Sequence, residues 1–197
     1  MTSPQHVILQ QQLHQFAQLS DVDIDLSNEF WQARTVSRHE FFNVPNSLCR
    51  HIGFIVRGIF RIYYVDPKTE LEHNLYFAAE NMFITSLKSL LTRTTCPYII
   101  EALETSELMV MQYDHLQQLF DRSHDWERFG RLLAEQFFLM NQLRSESLLT
   151  QTAEERYIDL LDNHPDLLNR VSLSHISSYL GIKGPSLSRI RSQVARK

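Results

Sequence analysis

The sequence is poor in cysteine and glycine and has no long apolar segment. Its two cysteines, Cys49 and Cys96, lie far apart, which excludes an iron–sulfur or zinc site built from cysteine alone and favours a reduced compartment. The five glycines form no phosphate-binding loop. No apolar run approaches the ~20 residues that cross a bilayer, and the first residues lack the basic start and apolar core of a secretory signal. We therefore expect a cytoplasmic protein with no membrane contact.

Charge is distributed unevenly along the chain. The 197 residues include 19 basic and 23 acidic side chains, for a net charge of −4. Six of the basic residues and no acid lie between Leu167 and Lys197, which leaves 13 basic against 23 acidic side chains, or −10, in the rest. A basic end on an acidic body indicates a polyanionic partner for that end alone, although a merely solvated terminus is the alternative.

The first part of the chain is predicted to be mainly β. After a probable helix, "QHVILQQQLHQFAQL", β patterning starts near Trp31, and "HIGFIVRGIFRIYYVD" is its clearest example, with Gly58 as a break. In "DPKT", Pro67 presets φ and Asp66 bonds the backbone ahead, so a turn is predicted. Several short strands at even spacing predict an antiparallel barrel or jelly roll.

A long helix follows the β region. Near Asp114 the apolar period changes to one typical of a helix, with a stripe of large side chains on one face. We interpret this stripe as a dimer interface with a second copy of the chain. A fully buried core helix of a monomer is the alternative, since further apolar residues widen the surface. The predicted interface residues are Trp126, Phe129, Leu133, Met140 and Leu143.

The last fifty residues read as short helices. Thr152 stands three residues before Glu155, the spacing of a capping box, and Pro165 stops or restarts that helix. "SLSHISSYLG" has Ser172 as a natural N-cap and ends at Gly181, which can supply the left-handed residue after a helix. "GPSLSRIRSQVARK" then begins a second helix. Two short helices joined by a tight glycine turn predict a helix-turn-helix.

The outward side of this second helix is small, hydroxylated and basic. Small residues let a helix enter the major groove, hydroxyls reach phosphates, and Arg189 is placed to bond a guanine edge. Arg196 and Lys197 would add non-specific attraction to the DNA. The predicted DNA-binding residues are Ser172, Ser174, Lys183, Pro185, Ser186, Ser188, Arg189, Arg191 and Ser192.

With these parts in order, the chain resembles the Crp/Fnr-type bacterial transcription regulators, most strongly in "ERYIDLLDNHPDLLNRVSLSHISSYLGIKGPSLSRIR". The resemblance implies an α+β chain with three parts. A cyclic-nucleotide-binding-like β-roll, or jelly roll, would occupy residues 1–120, a dimerisation helix 121–149, and a winged helix-turn-helix 150–197. The implied partners are double-stranded DNA and a second copy of the chain, with RNA polymerase and an unknown small-molecule effector as further candidates.

The sensor end departs from the family pattern. Members that bind cyclic AMP have a Gly-Glu pair followed about ten residues later by an Arg-Ser pair, whereas this chain has Ile84-Thr85 and Cys96-Pro97 there. A buried phosphate without its cation is strongly disfavoured, so we expect no cyclic AMP and no cofactor. Haem binding through His51 or His73 stays open. Any other ligand would be lined by Thr85, Arg93, Cys96 and Tyr98.

Two rival classes of protein remain compatible with the sequence. A metal-dependent or ligand-binding cupin-like barrel would use histidines, but His39, His51 and His73 lack the spacing of a metal triad, and no nucleophile elbow is present. We therefore expect neither an enzyme nor a metal site. A protein-binding adaptor that keeps a vestigial helix-turn-helix is the second rival, and the salt dependence of DNA affinity separates it from a regulator.

Overall fold

The computed structural model describes residues 3–194. This range divides into two compact units, the first made of residues 3–62 and 77–138 and the second of residues 63–76 and 139–194. None of the described helices is both long and apolar enough to cross a membrane. The assignment of 1–120, 121–149 and 150–197 to three functional parts stays a prediction, because the units are defined by compactness alone.

Helices and β-strands follow the order that the sequence pattern indicates. Two helices open the chain, strands with one short helical insertion follow, and helices alone occupy the described residues after β8. The first five described helices are α1 (Pro4–Ala17), α2 (Asp21–Ser27), α3 (Leu87–Thr92), α4 (Tyr113–Arg122) and α5 (His124–Thr150). The strands are β1 (Gln32–Val36), β2 (Phe41–Asn43), β3 (His51–Arg57), β4 (Phe60–Val65), β5 (Glu72–Ala78), β6 (Phe83–Ile84), β7 (Ile99–Ala102) and β8 (Ser106–Gln112).

The strands form two four-stranded sheets, ordered β1-β8-β3-β6 and β2-β7-β4-β5. The pairs β1–β8, β3–β8, β3–β6 and β2–β7 are antiparallel. Apolar side chains from both sheets share one core, which includes Val36, Ile55, Phe60, Ile100 and Leu108. Of the antiparallel barrel and the jelly roll that the short-strand pattern predicted, the architecture is the jelly roll, which is the β-roll that the resemblance implies.

Gly58 and Asp66 make the two turns that the sequence indicated. Gly58 has φ +115°, and a Cβ at this position would lie 2.0 Å from Oγ of Ser106, so only glycine fits between β3 and β4. The carboxylate of Asp66 accepts hydrogen bonds from the backbone N–H groups of Lys68 (2.7 Å) and Thr69 (3.2 Å). Both predictions rest on local chemistry and both are confirmed.

The first half of α5 lies in the core of the chain itself, which corrects the predicted dimer interface. Trp126 and Phe129 are fully buried and Leu133 is 4% exposed. The ring of Phe129 lies 5.8 Å from that of Phe16 and 5.2 Å from that of Phe83. A heptad stripe does not specify which partner covers it, and here its first three residues are covered by this chain's own β-roll and first helix.

The end of α5 has a different environment. Met140 is half-buried, whereas Leu143 is 63% exposed. Phe138, Leu139 and Leu149 on the same part of the helix are also largely exposed. At about 100° per residue these four exposed side chains fall within one broad face. A free apolar face therefore exists on α5, but it begins one turn after the buried stripe ends.

The second unit contains four further helices: α6 (Ala153–Asn163), α7 (Pro165–Arg170), α8 (Leu173–Leu180) and α9 (Gly184–Val194). Their shared core consists of Tyr157, Leu160, Val171, Ile176, Leu180 and Leu187, all buried. The capping box at Thr152 and Glu155 is present, and Pro165 begins α7. Within the described part of 150–197 there is no strand, so the wing that the resemblance implies has no counterpart among these residues.

Candidate nucleic-acid interface

Backbone hydrogen bonds build the helix-turn-helix from α8 and α9. The hydroxyl of Ser172 accepts a hydrogen bond from the N–H of His175 (3.3 Å) and caps α8. Gly181 closes the helix with φ +70°, and the N–H of Ile182 donates to the carbonyl of Ser177 (3.0 Å). The carbonyl of Lys183 then accepts from the N–H of Leu187 (3.2 Å) in α9. The predicted caps, glycine turn and second helix are all present.

The face of α9 that points away from the core is free and basic. Leu187 is buried, and Ile190 and Val194 are half-buried on the inner side. Neither Arg189 nor Arg191 forms an ion pair with a described residue. Seven of the predicted DNA-binding residues are exposed together at the turn and along α9: Lys183, Pro185, Ser186, Ser188, Arg189, Arg191 and Ser192. Arg196 and Lys197 lie outside the described residues.

The other two predicted contacts lie at the start of α8. Ser172 and Ser174 are exposed, and their hydroxyl oxygens are 2.9 Å apart. Along α9, the hydroxyl of Ser192 donates to the carbonyl of Ser188 (3.0 Å), so its oxygen is left to accept. A Cβ added at Gly184 would meet no other atom within 4 Å, so the start of α9 is sterically open.

Two arginines that sequence reasoning missed support the end of α8. Nε and Nη2 of Arg156 donate to the carbonyl of Leu180 (3.1 and 2.9 Å), while Nη1 donates to the carbonyl of Gln151 (2.6 Å). The guanidinium of Arg144 lies 4.1 Å from the ring centre of Tyr179 and also bonds the carbonyl of that residue. Burial lowers the pKa of Arg144 from its ordinary value. Cations here satisfy carbonyls that the helix end leaves unpaired.

A hairpin of the β-roll also belongs to this unit and holds α8. The hydroxyl of Ser178 donates to the carbonyl of Glu72 (2.8 Å) and accepts from the N–H of Asn74 (3.0 Å). Within the same hairpin the rings of Tyr64 and His73 stack with centres 5.0 Å apart. Ser178 looked like an ordinary helix serine in the sequence. No local signal marks a bond between residues 104 positions apart.

The four residues predicted to line a ligand pocket already have contacts of their own. The hydroxyl of Thr85 donates to the carbonyl of His51 (2.9 Å). Arg93 is exposed and pairs with Asp114 (2.5 Å), with its guanidinium 4.8 Å from the ring centre of Tyr113. Cys96 is buried, and its sulfur accepts a hydrogen bond from Asn43 (3.5 Å), which also donates to the carbonyl of Tyr98. Arg93 therefore forms a surface ion pair, and a ligand site shared by the four residues stays a prediction.

His39 of the β-roll is held by a carboxylate. Nδ1 of His39 lies 2.8 Å from Oε1 of Glu101, a buried carboxylate that Arg61 also bonds (2.6 Å). Among residues 3–194, no three histidine, cysteine or acidic side chains are grouped as a metal site would require.

No protein-family model matches the sequence, and no curated protein matches it. Solved structures do. The global regulator CLP of Xanthomonas campestris aligns with a TM-score of 0.71 at 16% identity, covering 90% of this chain and 92% of CLP. FixK2 from Bradyrhizobium japonicum gives a TM-score of 0.71 at 16% identity, with coverages of 84% and 85%. The Thermus thermophilus catabolite activator protein gives 0.59 at 17%, with coverages of 94% and 87%.

The chain has the Crp/Fnr-type fold. The agreement extends over nearly the whole of each chain, so the β-roll, long helix and helix-turn-helix occur in the expected order. At this level of identity the likeness concerns the fold, and CLP alone is described as responsive to c-di-GMP. The sequence resemblance to the Crp/Fnr type is confirmed at the level of architecture.

Proposed function

We propose that this chain is a sequence-specific, DNA-binding transcription regulator of the Crp/Fnr type and not an enzyme. The observation that carries the proposal is the exposed basic face of α9 on a helix-turn-helix whose inner face is buried. Such a motif places its second helix in the major groove. The Crp/Fnr-type fold supports the same reading.

Each exposed residue has a proposed role. Arg189, about one turn into α9, reads a base edge through its two-pronged guanidinium. Lys183 and Ser186 contact phosphates where the helix enters the groove, and Arg191 contacts the backbone beside it. Ser172 and Ser174 bind phosphate together with the free N–H groups at the start of α8. Pro185, Ser188 and Ser192 keep the surface small enough for close approach.

We further propose that the protein is a homodimer that reads a palindrome. The interface is the exposed apolar face of α5 formed by Phe138, Leu139, Leu143 and Leu149. Met140 and Leu143 are what remains of the predicted interface residues after Trp126, Phe129 and Leu133 are assigned to the core. Two recognition helices would then meet half-sites about one helical turn, ~34 Å, apart.

Cyclic AMP is not the proposed signal. Ile84 is buried and Thr85 is bonded to a backbone carbonyl, so neither can replace the glutamate that accepts from the ribose. The nearby cation, Arg93, is engaged with Asp114. Without a paired cation the phosphate would be buried at high cost.

The test is selection of bound duplexes from a random DNA pool, followed by titration of the recovered site. A regulator of the proposed kind enriches a motif with two-fold symmetry and half-sites about 10 base pairs apart. Recovery of no common motif would refute sequence-specific binding. Recovery of an asymmetric motif would keep DNA binding but refute the dimeric reading.

A further inference from the structure

A cleft at one end of the first sheet holds several polar groups that the DNA interface does not use. Its volume is about 310 Å³, at the lower end of the range for small-molecule sites, about 300–1,000 Å³. The starts of β1 and β3, the end of β8 and the beginning of α4 contribute to it. It is lined by Phe30, Gln32, Ala33, Arg34, His51, Val110, Gln112 and His115. None of the four residues predicted for a ligand site is among them.

Register explains why these side chains meet. His51 pairs with Gln112 across β3 and β8, and Gln32 pairs with Val110 across β1 and β8. Directly paired residues of antiparallel strands project from the same face of the sheet. Arg34 lies two residues beyond Gln32 and so projects from that face as well. Sequence reasoning could not assemble the cleft, because its residues come from three separated segments, 30–34, 51 and 110–115.

Arg34 supplies an anchor for an anion. Its side chain is 40% exposed. The two contacts of its guanidinium, with Oε1 of Glu40 and the carbonyl of Phe41, are both long at 3.5 Å and both use Nη2. Nε and Nη1 make no hydrogen bond within residues 3–194. The other carboxylate oxygen of Glu40 accepts from the N–H of Ser37 (2.9 Å), so this acid is shared with the backbone. A guanidinium with donors to spare matches a carboxylate.

The imidazoles of His51 and His115 add polar ring nitrogens to the cleft. Nδ1 of His115 is buried without a hydrogen-bond partner among the described residues, and its ring stacks on Phe30 with centres 4.5 Å apart. An unpaired buried nitrogen is costly and gains from any ligand that supplies a partner. Burial, followed by the charges of Arg34 and Arg50, lowers the pKa of His51, which is therefore neutral at pH 7. Phe30, Ala33 and Val110 complete an apolar wall.

We propose that this cleft is a binding site for a small organic carboxylate with an apolar body. The carboxylate pairs with the guanidinium of Arg34, the amides of Gln32 and Gln112 and the imidazoles of His51 and His115 supply polar contacts, and the body lies against Phe30 and Val110. The proposal does not depend on DNA binding by α9, since it concerns only the first unit.

The test uses benzoate as the probe and benzamide, which has nearly the same shape but no charge, as its matched control. The full-length protein is titrated at pH 7 while the imidazole C–H resonances of its histidines are followed by NMR. Benzoate should shift the resonances of His51 and His115 saturably and leave those of His73 and His124 unchanged. The affinity for benzamide should be lower than that for benzoate by about tenfold or more, because benzamide lacks the charge-assisted hydrogen bond.

Variants locate the site. Arg34→Gln should weaken benzoate binding about tenfold or more, whereas Arg57→Gln, which alters an exposed arginine at the far end of β3, should leave it unchanged. Arg34→Lys should fall between them, because it keeps the charge and loses the planar fork. The proposal is overturned if benzoate causes no saturable shift, if benzamide binds equally well, or if Arg34→Gln binds like the unmodified protein.

Discussion

The hydroxyl of Ser178 on α8 lies 2.8 Å from the carbonyl oxygen of Glu72, to which it donates. The same hydroxyl accepts from the N–H of Asn74 at 3.0 Å. One side chain thus ties the first helix of the helix-turn-helix to the hairpin of residues 63–76. Removing it leaves the N–H of Asn74 without this acceptor, and the cost of such an unmade bond exceeds that of an ordinary surface change.

Ser178→Ala should therefore lower the free energy of unfolding by about 1–3 kcal/mol. Urea unfolding measures the loss, and faster hydrogen exchange at the N–H of Asn74 locates it. Ser145→Ala removes a hydroxyl bonded within its own helix and should change stability by no more than about 0.5 kcal/mol. Equal stabilities for the two variants would show that the hydrogen bonds of Ser178 to the hairpin contribute nothing to the free energy of unfolding.

Gly181 and Gly184 should respond oppositely to alanine. Gly181 has φ +70°, so Gly181→Ala should cost about 1–2 kcal/mol. Gly184 begins α9 and has open space around its Cα, so Gly184→Ala should be neutral or stabilising by up to about 1 kcal/mol. Thermal unfolding of the pair checks this. A destabilised Gly184→Ala with an unaffected Gly181→Ala would contradict the described turn.

Leu143→Glu should shift the protein from dimer to monomer, because a charge on the exposed face of α5 cannot be buried against a second copy. Sedimentation equilibrium measures the assembly state. Val22→Glu changes an equally exposed apolar residue of α2 (73% exposed) and should leave the dimer intact. If Leu143→Glu stays dimeric, the interface lies elsewhere.

The carboxyl of Asp23 should make the free energy of unfolding depend on pH in the acid range. Hydrogen bonds from Ser123, 2.6 Å away, and from Ser20 lower the pKa of this carboxyl below its ordinary 3.8. A depressed folded pKa stabilises the protein above the unfolded value, and that stabilisation disappears as the pH falls through the folded value. Asp23→Asn should therefore be less stable than the unmodified protein at pH 6, with the gap closing as the pH falls below the ordinary carboxyl value of 3.8 and through the lowered pKa of Asp23. A gap independent of pH would contradict the assignment.

Local chemistry accounts for the parts of this fold that the sequence predicts. Thr152 with Glu155, Gly181 after α8 and Asp66 in its turn each act within a few residues, so each can be read from the order of side chains. Partners distant in sequence were missed. The stripe beginning at Trp126 correctly predicted a helix, but it did not show that residues of the same chain cover its first half. The arginines that support α8 had no local signature in the sequence.

The ligand-site prediction rests on a family motif and not on local chemistry. Thr85, Arg93, Cys96 and Tyr98 were chosen because that motif passes near them, and their shared site stays a prediction. The cleft beside Arg34 instead depends on the register of three strands. The outward face of α9 was predictable because helical periodicity alone decides which residues are exposed.

DNA affinity should depend on Arg189 in a base-specific way. Arg189→Ala should cost about 1–3 kcal/mol at the selected site and relax the preference at one base pair of each half-site. Arg131→Ala, which removes an arginine paired with Glu135 on α5, should leave both affinity and preference unchanged. Competition among single-base variants of the site gives the readout. Unchanged base preference in Arg189→Ala would assign the base reader to another residue.

The most direct measurement of the central claim, that α9 binds duplex DNA through its free basic face, is affinity for the selected duplex and a scrambled one across a range of salt concentrations. The account predicts that log K falls steeply and linearly with log salt concentration, and that the selected duplex is preferred about tenfold or more. A flat salt dependence with equal affinity for both duplexes would contradict it.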